Sequence, residues 1–228
     1  MSFLLFAIII TVVSYLIGSV SFAIISSKLL KLEDPRSYGS GNPGATNVLR
    51  SGNKKAAIIT LLGDLFKGWL VVFVTIKLVE HWHLSPWLVT ISAIAVFIGH
   101  VYSILLGFKG GKGVATGVGV LLALSPLLAL SCLVTWAVVA ALFRYSSLAA
   151  LVTAAMAPIY YLFLNSADGT FTWPWFIAVL FIVSWIIYKH KKNIHNLLYG
   201  KENKIGSKKA SNNKLSGTSA TRSKRKKK

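Results

Sequence analysis

The sequence predicts an all-α integral membrane protein with about seven transmembrane helices, an N-terminus outside the cell and a C-terminus in the cytoplasm. Of its 228 residues, 54% are hydrophobic, and the mean hydropathy is +0.64, which is too high for a soluble domain. The apolar residues lie in runs close to the roughly 20 residues that cross a bilayer. Basic or glycine-rich segments separate these runs, as is typical of a protein that spans the membrane several times.

Five apolar runs have the length of a single transmembrane helix: 3–26, 56–79, 87–105, 147–164 and 172–188. A further run, 114–143, is too long for one crossing without a large tilt, and Ser125 and Pro126 interrupt it. We therefore expect a short helix over 114–124, directly after a glycine-rich loop, and a full span over 127–143. With this division the chain crosses the membrane four times between residue 114 and Lys189 and seven times overall, so it returns to the cytoplasm before Lys189.

The distribution of basic residues sets the predicted orientation. Lysines and arginines crowd the segment after the first span, which the positive-inside rule assigns to the cytoplasm: Lys28, Lys31, Arg36, Arg50, Lys54 and Lys55. Fourteen of the 25 Lys and Arg residues lie from Lys189 onward. Residues 207–228 have no apolar periodicity, which predicts a disordered basic tail after a membrane domain over 1–206. We expect this tail to contact anionic lipid headgroups, and we expect no nucleic acid partner.

Residues 99–116, GHVYSILLGFKGGKGVAT, predict a phosphate-binding loop at the membrane surface. Glycine lets successive backbone N–H groups converge on one anion, lysine adds a positive charge, and the N-terminal end of the following helix favours an anion. A Walker A loop is excluded, because Leu106 and Gly113 occupy the positions that need Gly and Ser or Thr. The alternative is that the glycines only allow close helix packing. The residues of interest are Gly107, Gly110, Gly111, Gly113, Lys109 and Lys112.

Residues 37–50, SYGSGNPGATNVLR, are rich in turn residues and predict a structured turn, not a helix, on the same side of the membrane. Ser40, Asn42 and Thr46 supply hydroxyl and amide groups, and Arg50 supplies a planar fork suited to phosphate. The alternative is a flexible connector between two spans.

Residues 189–206, KHKKNIHNLLYGKENKIG, form a third polar segment on this side. Helical spacing places His190 and Asn193 on one face. His190 lies among cations, where its charged form is disfavoured unless an anion binds. His195 is a weaker candidate, and the alternative for the segment is a basic helix at the membrane interface.

Charged residues also occur inside the predicted spans. Asp64 and Lys67 share a helix face, where they form either a self-contained ion pair or part of a site. We favour a structural role for His100. The outer-loop pair His81 and His83 lacks a third ligand. Since the single cysteine, Cys132, also excludes a Cys-based metal site, we expect neither a metal nor a cofactor.

Together these segments resemble the bacterial acyl-phosphate:glycerol-3-phosphate acyltransferase family, the PlsY type. The motifs that carry the resemblance are SGNPGATNVLR (40–50), GDLFKG (63–68), GHVYSILLGFKGGKGVAT (99–116), KHKKNI (189–194) and GKENKIG (200–206). The resemblance implies seven helices in the bacterial inner membrane and a cytoplasmic active site. It also implies acyl transfer from acyl phosphate to the sn-1 hydroxyl of glycerol 3-phosphate, the first step of phospholipid synthesis, with lysophosphatidate and phosphate as products.

The resemblance also implies roles for individual residues. The catalytic residues of the family fall on Ser40, Arg50, Lys112, His190 and Asn193. Its phosphate loop falls on residues 107–113 and its structural glutamate on Glu202. The RYSS turn at 144–147 looks like a family element, with Ser147 as a substrate contact. The chain departs from the family at His195 and Asn196, where members often carry a basic residue.

The residues are compatible with this chemistry. Both substrates carry phosphate, which accounts for cations in three cytoplasmic segments. The acyltransferase signature of His, four further residues and then Asp is missing, because Leu105 stands at the Asp position after His100 and His195 stands at the Asp position after His190. No carboxylate–histidine base is therefore evident, and we expect the leaving phosphate to accept the proton. An acyl-enzyme on Ser40 is the alternative.

Two other classes of function compete with the enzyme. A transporter or channel for an organophosphate anion would also use seven helices and a cationic loop. A membrane scaffold that binds lipid or nucleic acid through its tail would leave the glycine-rich motifs unexplained.

Overall fold

The computed structural model describes residues 3–167 and 169–206. These residues form α-helices joined by turns, with two short 3-10 turns at Leu49–Ser51 and Ile104–Leu106 and no β-strand among them. The helices are α1 Phe3–Ser19, α2 Phe22–Leu29, α3 Ala45–Val48, α4 Lys54–His81, α5 Trp87–Val101, α6 Val114–Leu124, α7 Pro126–Phe143, α8 Ser146–Ala167, α9 Trp173–Lys189 and α10 Lys191–Leu198. The basic tail, residues 207–228, lies outside the described residues.

Five segments of the described chain are long and apolar enough to cross a membrane: Phe3–Leu29, Lys54–His81, Trp87–Leu106, Pro126–Phe143 and Ser146–Ala167. The pair α9 and α10, bent by 55°, makes a sixth. The all-helical, multi-span fold is thereby confirmed. The count of seven spans and the orientation of the termini stay predictions, since the remaining apolar helix, α6, is too short to be counted by length.

The short helix after the glycine-rich loop lies where the sequence predicts it, over Val114–Leu124. Ser125 ends it and begins the next helix, because its side chain accepts a hydrogen bond from the Leu128 N–H at 3.4 Å. Pro126 follows at the first position of α7, where a missing N–H costs nothing. The local Ser-Pro signal is therefore sufficient to divide the long apolar run.

The bundle is built from helix pairs that approach closely. α1 packs on α5, α4 on α6, and α7 on α8. A Cβ atom at Gly18 would overlap the Val96 carbonyl, and one at Gly99 would overlap the Tyr15 carbonyl. Lipid tails are as apolar as the helices, so the hydrophobic effect does not drive the helices together. The close backbone packing stabilises the pairs through van der Waals contacts instead. The large apolar side chains on the outer helix faces are left exposed, as expected of a surface in contact with lipid.

The first span is broken, contrary to the single helix predicted over 3–26. α1 ends at Ser19, and α2 begins at Phe22. The Val20 carbonyl at the break accepts a hydrogen bond from Lys67 Nζ at 2.5 Å, and the Ser19 carbonyl accepts one from Ser103 Oγ at 2.6 Å. Since a freed backbone group inside a membrane needs a partner, these side chains from other elements stabilise the break.

The segment between α2 and α4 is also more helical than predicted. Residues 45–51 form one turn of α-helix followed by a 3-10 turn, so the expectation of no helix is wrong there. Asn47 holds the rest of the segment: its side-chain oxygen accepts the Ser40 N–H at 2.9 Å, and its amide donates to the carbonyls of Pro35 and Tyr38. The fully buried Val48 packs in a small cluster with alanines of α2 and α4 and anchors the segment to the bundle.

Candidate active site

One polar pocket of about 370 Å³ lies at the end of the bundle where the three predicted polar segments meet. It brings together five of the predicted site residues: Ser40, Asn42, Arg50, Lys112 and Asn193. The remaining lining residues are Gly39, Gly41, Lys189, Lys192, Asn196, Glu202 and Asn203. Residues far apart in the sequence thus converge on one site, as the phosphate-binding hypothesis requires.

The pocket is strongly positive. Arg50, Lys112, Lys189 and Lys192 face one carboxylate, that of Glu202. Burial, opposed by the charge of Glu202 and reinforced by three neighbouring cations, lowers the pKa of Lys112 to about 8. A dianionic ligand would relieve this repulsion, because each opposite charge favours the protonated lysine. The pocket is therefore suited to phosphate.

Glu202 organises the pocket floor through its hydrogen bonds. One carboxylate oxygen accepts the Ser147 hydroxyl at 2.6 Å and the Asn193 amide at 2.7 Å, and the other accepts the Asn196 amide at 3.3 Å. The Asn193 carbonyl oxygen in turn accepts a hydrogen bond from Lys112 Nζ. Lys112 is thus oriented through Asn193 by a carboxylate that already has three donors.

The glycine-rich loop contributes Lys112, but none of its glycines is among the lining residues. The N–H groups of Gly110 and Gly111 donate to the carbonyls of Val101 and His100 at 3.2 and 3.1 Å. The expectation that successive glycine N–H groups converge on an anion is therefore wrong for these two residues. Their amides fasten the loop to the end of α5.

The two outer glycines of the loop shape its ends. Gly107 closes the turn after Ile104–Leu106, and its N–H donates to the Ile104 carbonyl at 3.4 Å. Gly113 precedes α6 with φ +87°, and a Cβ there would overlap the Phe97 ring. Among the described residues, no group accepts a hydrogen bond from the N–H of Lys112 or Gly113.

His190 lies at the bend between α9 and α10, buried and behind the lining residues. Its Nδ1 is 2.8 Å from the Ile186 carbonyl, which can only accept, so Nδ1 carries the proton and Nε2 is an acceptor. The suppression of its charged form stays a prediction.

Thr46 and Ser147, predicted to touch substrate, are placed outside the lining. The Thr46 hydroxyl is 3.1 Å from that of Ser146, and this contact joins the 37–53 segment to the start of α8. Ser147 donates to Glu202 instead of facing the pocket. The turn at Arg144 also holds the C-terminal segment, because the Arg144 carbonyl accepts the Ile205 N–H at 2.6 Å.

The sequence reasoning missed Gly39 and Gly41 as lining residues, and it missed four polar ones: Lys189, Lys192, Asn196 and Asn203. The first three of these polar residues had a detectable signal, since they recur with Asn193 at intervals of three or four residues and so share one helical face. Asn203 had none. It follows the last helix, and its position depends on the contacts of Glu202 and Ile205 with distant residues.

A separate apolar crevice lies between α6, α7, α8 and α9, deeper in the bundle. Its lining begins at Val114, two residues after Lys112, and continues along α6 through Gly117 and Leu121. The lining of the crevice therefore begins close in the chain to the pocket residue Lys112. Within residues 3–167 and 169–206, no group of three His, Cys, Asp or Glu side chains is placed to hold a metal ion.

The chain is similar to known proteins over most of its length. The sequence model of the family described as glycerol-3-phosphate acyltransferase matches residues 8–200. A glycerol-3-phosphate acyltransferase of Paraburkholderia phytofirmans is 53% identical over 204 residues, which is 89% of this chain and 92% of the relative. That of Bordetella avium is 53% identical over 206 residues, 90% of this chain and 96% of the relative.

Two crystal structures have the same fold. Both are of PlsY (YgiH), an integral membrane glycerol 3-phosphate acyltransferase, at 36% identity. Its glycerol 3-phosphate form gives a TM-score of 0.78 over 88% of this chain and 96% of that one. Its lysophosphatidic acid form gives 0.76 over 87% and 94%.

Proposed function

Because the chain belongs to the glycerol-3-phosphate acyltransferase family, we propose that it transfers a fatty acyl group from acyl phosphate to the sn-1 hydroxyl of glycerol 3-phosphate. The products are lysophosphatidate and inorganic phosphate. The observation that carries the proposal is the convergence of Arg50, Lys112, Lys189 and Lys192 on one pocket, together with an apolar crevice whose lining begins two residues after Lys112. Two phosphate-bearing substrates, one with a lipid chain, need both surfaces.

The proposed reaction requires positioning and charge stabilisation more than a protein base. The sn-1 oxygen attacks the acyl carbonyl carbon, the bond from that carbon to the phosphate oxygen breaks, and the phosphate leaves with the electron pair and takes the hydroxyl proton. Arg50 and Lys112 bind phosphate and stabilise the charge that develops on it. Ser40 and Asn42 orient the glycerol hydroxyls.

His190 and Asn193 act as positioning groups in this proposal. His190 is buried behind the lining residues, so the leaving phosphate is the better-placed proton acceptor. Asn193 holds Lys112 in place through its carbonyl oxygen. Thr46 and Ser147 support the walls behind the pocket, and the N–H groups at the start of α6 add donors for phosphate.

The test is a comparison of acyl donors with purified protein and glycerol 3-phosphate: palmitoyl phosphate, palmitoyl-CoA and palmitoyl-acyl carrier protein. We expect lysophosphatidate from palmitoyl phosphate alone, with the acyl group on the sn-1 oxygen by NMR. Turnover from either thioester would refute the donor, and acylation at the sn-2 oxygen would refute the regiochemistry. Recovery of an acylated Ser40 in the absence of glycerol 3-phosphate would instead support an acyl-enzyme.

We further propose that the protein spans the inner membrane with the pocket in the cytoplasm, because the basic residues cluster on the pocket side. In a Cys132→Ala background, Lys54→Cys lies at the pocket end of α4, and His83→Cys lies in the loop beyond its other end. A membrane-impermeant thiol reagent added to intact spheroplasts should label the cysteine at 83 and not that at 54. Labelling at position 54 and not at position 83 would show the opposite orientation in the membrane.

A further inference from the structure

Asp64, Lys67 and His100 form a cluster of buried polar side chains inside the helix bundle. Their exposed fractions are 2%, 3% and 7%. Lys67 Nζ is 2.8 Å from Asp64 Oδ1, and His100 Nδ1 lies 3.6 Å from the same oxygen. None of the three lines the polar pocket. Stability alone gives a weak reason for such a cluster, because apolar side chains of similar volume often replace a buried ion pair without loss.

On one side the cluster holds the break in the first span. Lys67 Nζ donates to the Val20 carbonyl between α1 and α2 at 2.5 Å, in addition to its ion pair with Asp64. The direction of α2 depends on this break, and α2 leads into the segment that carries Ser40 and Arg50. The cluster is therefore connected to one wall of the pocket.

On the other side the cluster supports the glycine-rich loop. The His100 carbonyl accepts the Gly111 N–H at 3.1 Å. The imidazole also packs directly against Gly111, since a Cβ at that glycine would overlap His100 Nε2. The next residue is Lys112. His100 Nδ1 thus faces the Asp64 carboxylate, while the other ring nitrogen, Nε2, lies against Gly111. The same ring therefore supports the backbone that positions Lys112.

We propose that Asp64, Lys67 and His100 are positioning residues that hold the segments carrying Arg50 and Lys112 at the separation one phosphate needs. The proposal rests on the proposed function, because it assigns the spacing to the phosphate of glycerol 3-phosphate. A shift of about 1 Å between positioned groups can lower the rate about 100-fold, so a cluster remote from the reacting atoms is sufficient to control turnover.

The test distinguishes a role in positioning the segments that carry Arg50 and Lys112 from the mere pairing of buried charges. The double variant Asp64→Asn/Lys67→Met removes both charges at once, so no unpaired charge is left in the bundle. The matched control is Lys77→Gln/Glu80→Gln, which removes an exposed ion pair with the same spacing on the same helix. A second variant, His100→Gln, keeps the ion pair and removes the ring beside Gly111.

Kinetics give the first readout. We expect kcat/KM for glycerol 3-phosphate to fall about 100-fold in both test variants, chiefly through KM, with wild-type values in the control. A merely structural role would reduce the folded fraction, which lowers the apparent kcat and leaves KM unchanged. Wild-type KM in the double variant and in His100→Gln would therefore overturn the proposal.

Hydrogen–deuterium exchange gives a readout that needs no reaction. The amides of Gly110 and Gly111 are hydrogen-bonded, so peptides covering 107–113 should exchange faster in both test variants than in the wild type or the control. Unchanged exchange in both test variants would overturn the positioning role, even if the wild type is an active acyltransferase. If exchange is faster in the test variants but the wild type has no acyltransferase activity, the proposed function is refuted. The conclusion that the cluster supports the loop would still hold.

Discussion

The glycine-rich loop, residues 107–113, and the C-terminal segment, residues 190–206, reach the same pocket with different kinds of support. The loop is fastened by backbone hydrogen bonds from Gly110 and Gly111 to the end of α5, beneath which the His100 ring is packed. The C-terminal segment is fastened by side chains, above all by the Glu202 carboxylate. Lys112 and Asn193 meet where the two supports join.

This difference predicts different sensitivities. A loop held by backbone contacts has no room for added atoms, but it tolerates changes of charge outside the pocket. A segment held by a carboxylate tolerates small changes of volume and is sensitive to loss of that charge. The predictions below test the contrast, beginning with the lysine that both regions serve.

Lys112→Ala should have the largest effect. Removing a donor aimed at charge in the transition state typically costs about 100- to 1,000-fold in kcat, and we expect a loss of this size with the fold intact. The measurement is turnover with palmitoyl phosphate and glycerol 3-phosphate. Lys109→Ala is the control, since Lys109 is exposed in the same loop and does not line the pocket. Equal losses in both variants would show a general charge effect.

Gly111→Ala should be the next most damaging change. The new Cβ overlaps the His100 ring, so the loop or the ring must shift, at a cost of about 1–3 kcal/mol in the free energy of unfolding and a clear loss of activity. Thermal unfolding and kinetics measure the two effects. Gly169→Ala, with φ +73° and open space around it, should lose some stability through backbone strain and keep full activity. Wild-type activity in Gly111→Ala would contradict the packed loop.

Glu202→Gln should act on the other region with little change of volume. The amide offers one acceptor oxygen where the carboxylate oxygens accept three hydrogen bonds, so we expect local destabilisation of about 1–3 kcal/mol. Hydrogen exchange should increase in residues 190–206 and not in 107–113. Glu33→Gln removes an exposed carboxylate and is the control. Equal loosening of both regions would remove the distinction between their supports.

The smallest effect should be on the pH dependence of the affinity for glycerol 3-phosphate. Because the pKa of Lys112 is lowered to about 8, affinity for glycerol 3-phosphate should fall as pH rises through about 8. Glu202→Gln should move this fall to lower pH, since the carboxylate raises the pKa of Lys112. Lys112→Arg should move it above the measurable range, because arginine stays protonated. An unchanged midpoint in both variants would assign the titration to another group.

The free energy of unfolding should also depend on the protonation of Lys112, but it should rise with pH where the affinity for glycerol 3-phosphate falls. Between about pH 8 and 10.5 the unfolded chain keeps Lys112 protonated and the folded chain does not, so the free energy of unfolding rises with pH in this window. Chemical denaturation in detergent at several pH values measures this rise.

The sequence by itself determined the membrane-spanning character, the short helix over Val114–Leu124, and the placement of three polar segments at one end of the bundle. These features depend on local properties: the length of an apolar run, a Ser-Pro pair, and the parity of crossings. Of the predicted site, Ser40, Asn42, Arg50, Lys112 and Asn193 lie in one pocket, because residue chemistry alone indicates which groups suit phosphate.

Only the tertiary structure decided the break after Ser19, the use of the glycine amides, and the central place of Glu202. Each depends on a contact between residues that are not neighbours in the sequence: Lys67 with Val20, Gly111 with His100, and Ser147 with Glu202. Local patterns contain no record of such contacts, because the partner of a buried polar group is chosen by how the helices pack. The physical reason is that inside a membrane every freed backbone group and charge must find that partner within the protein.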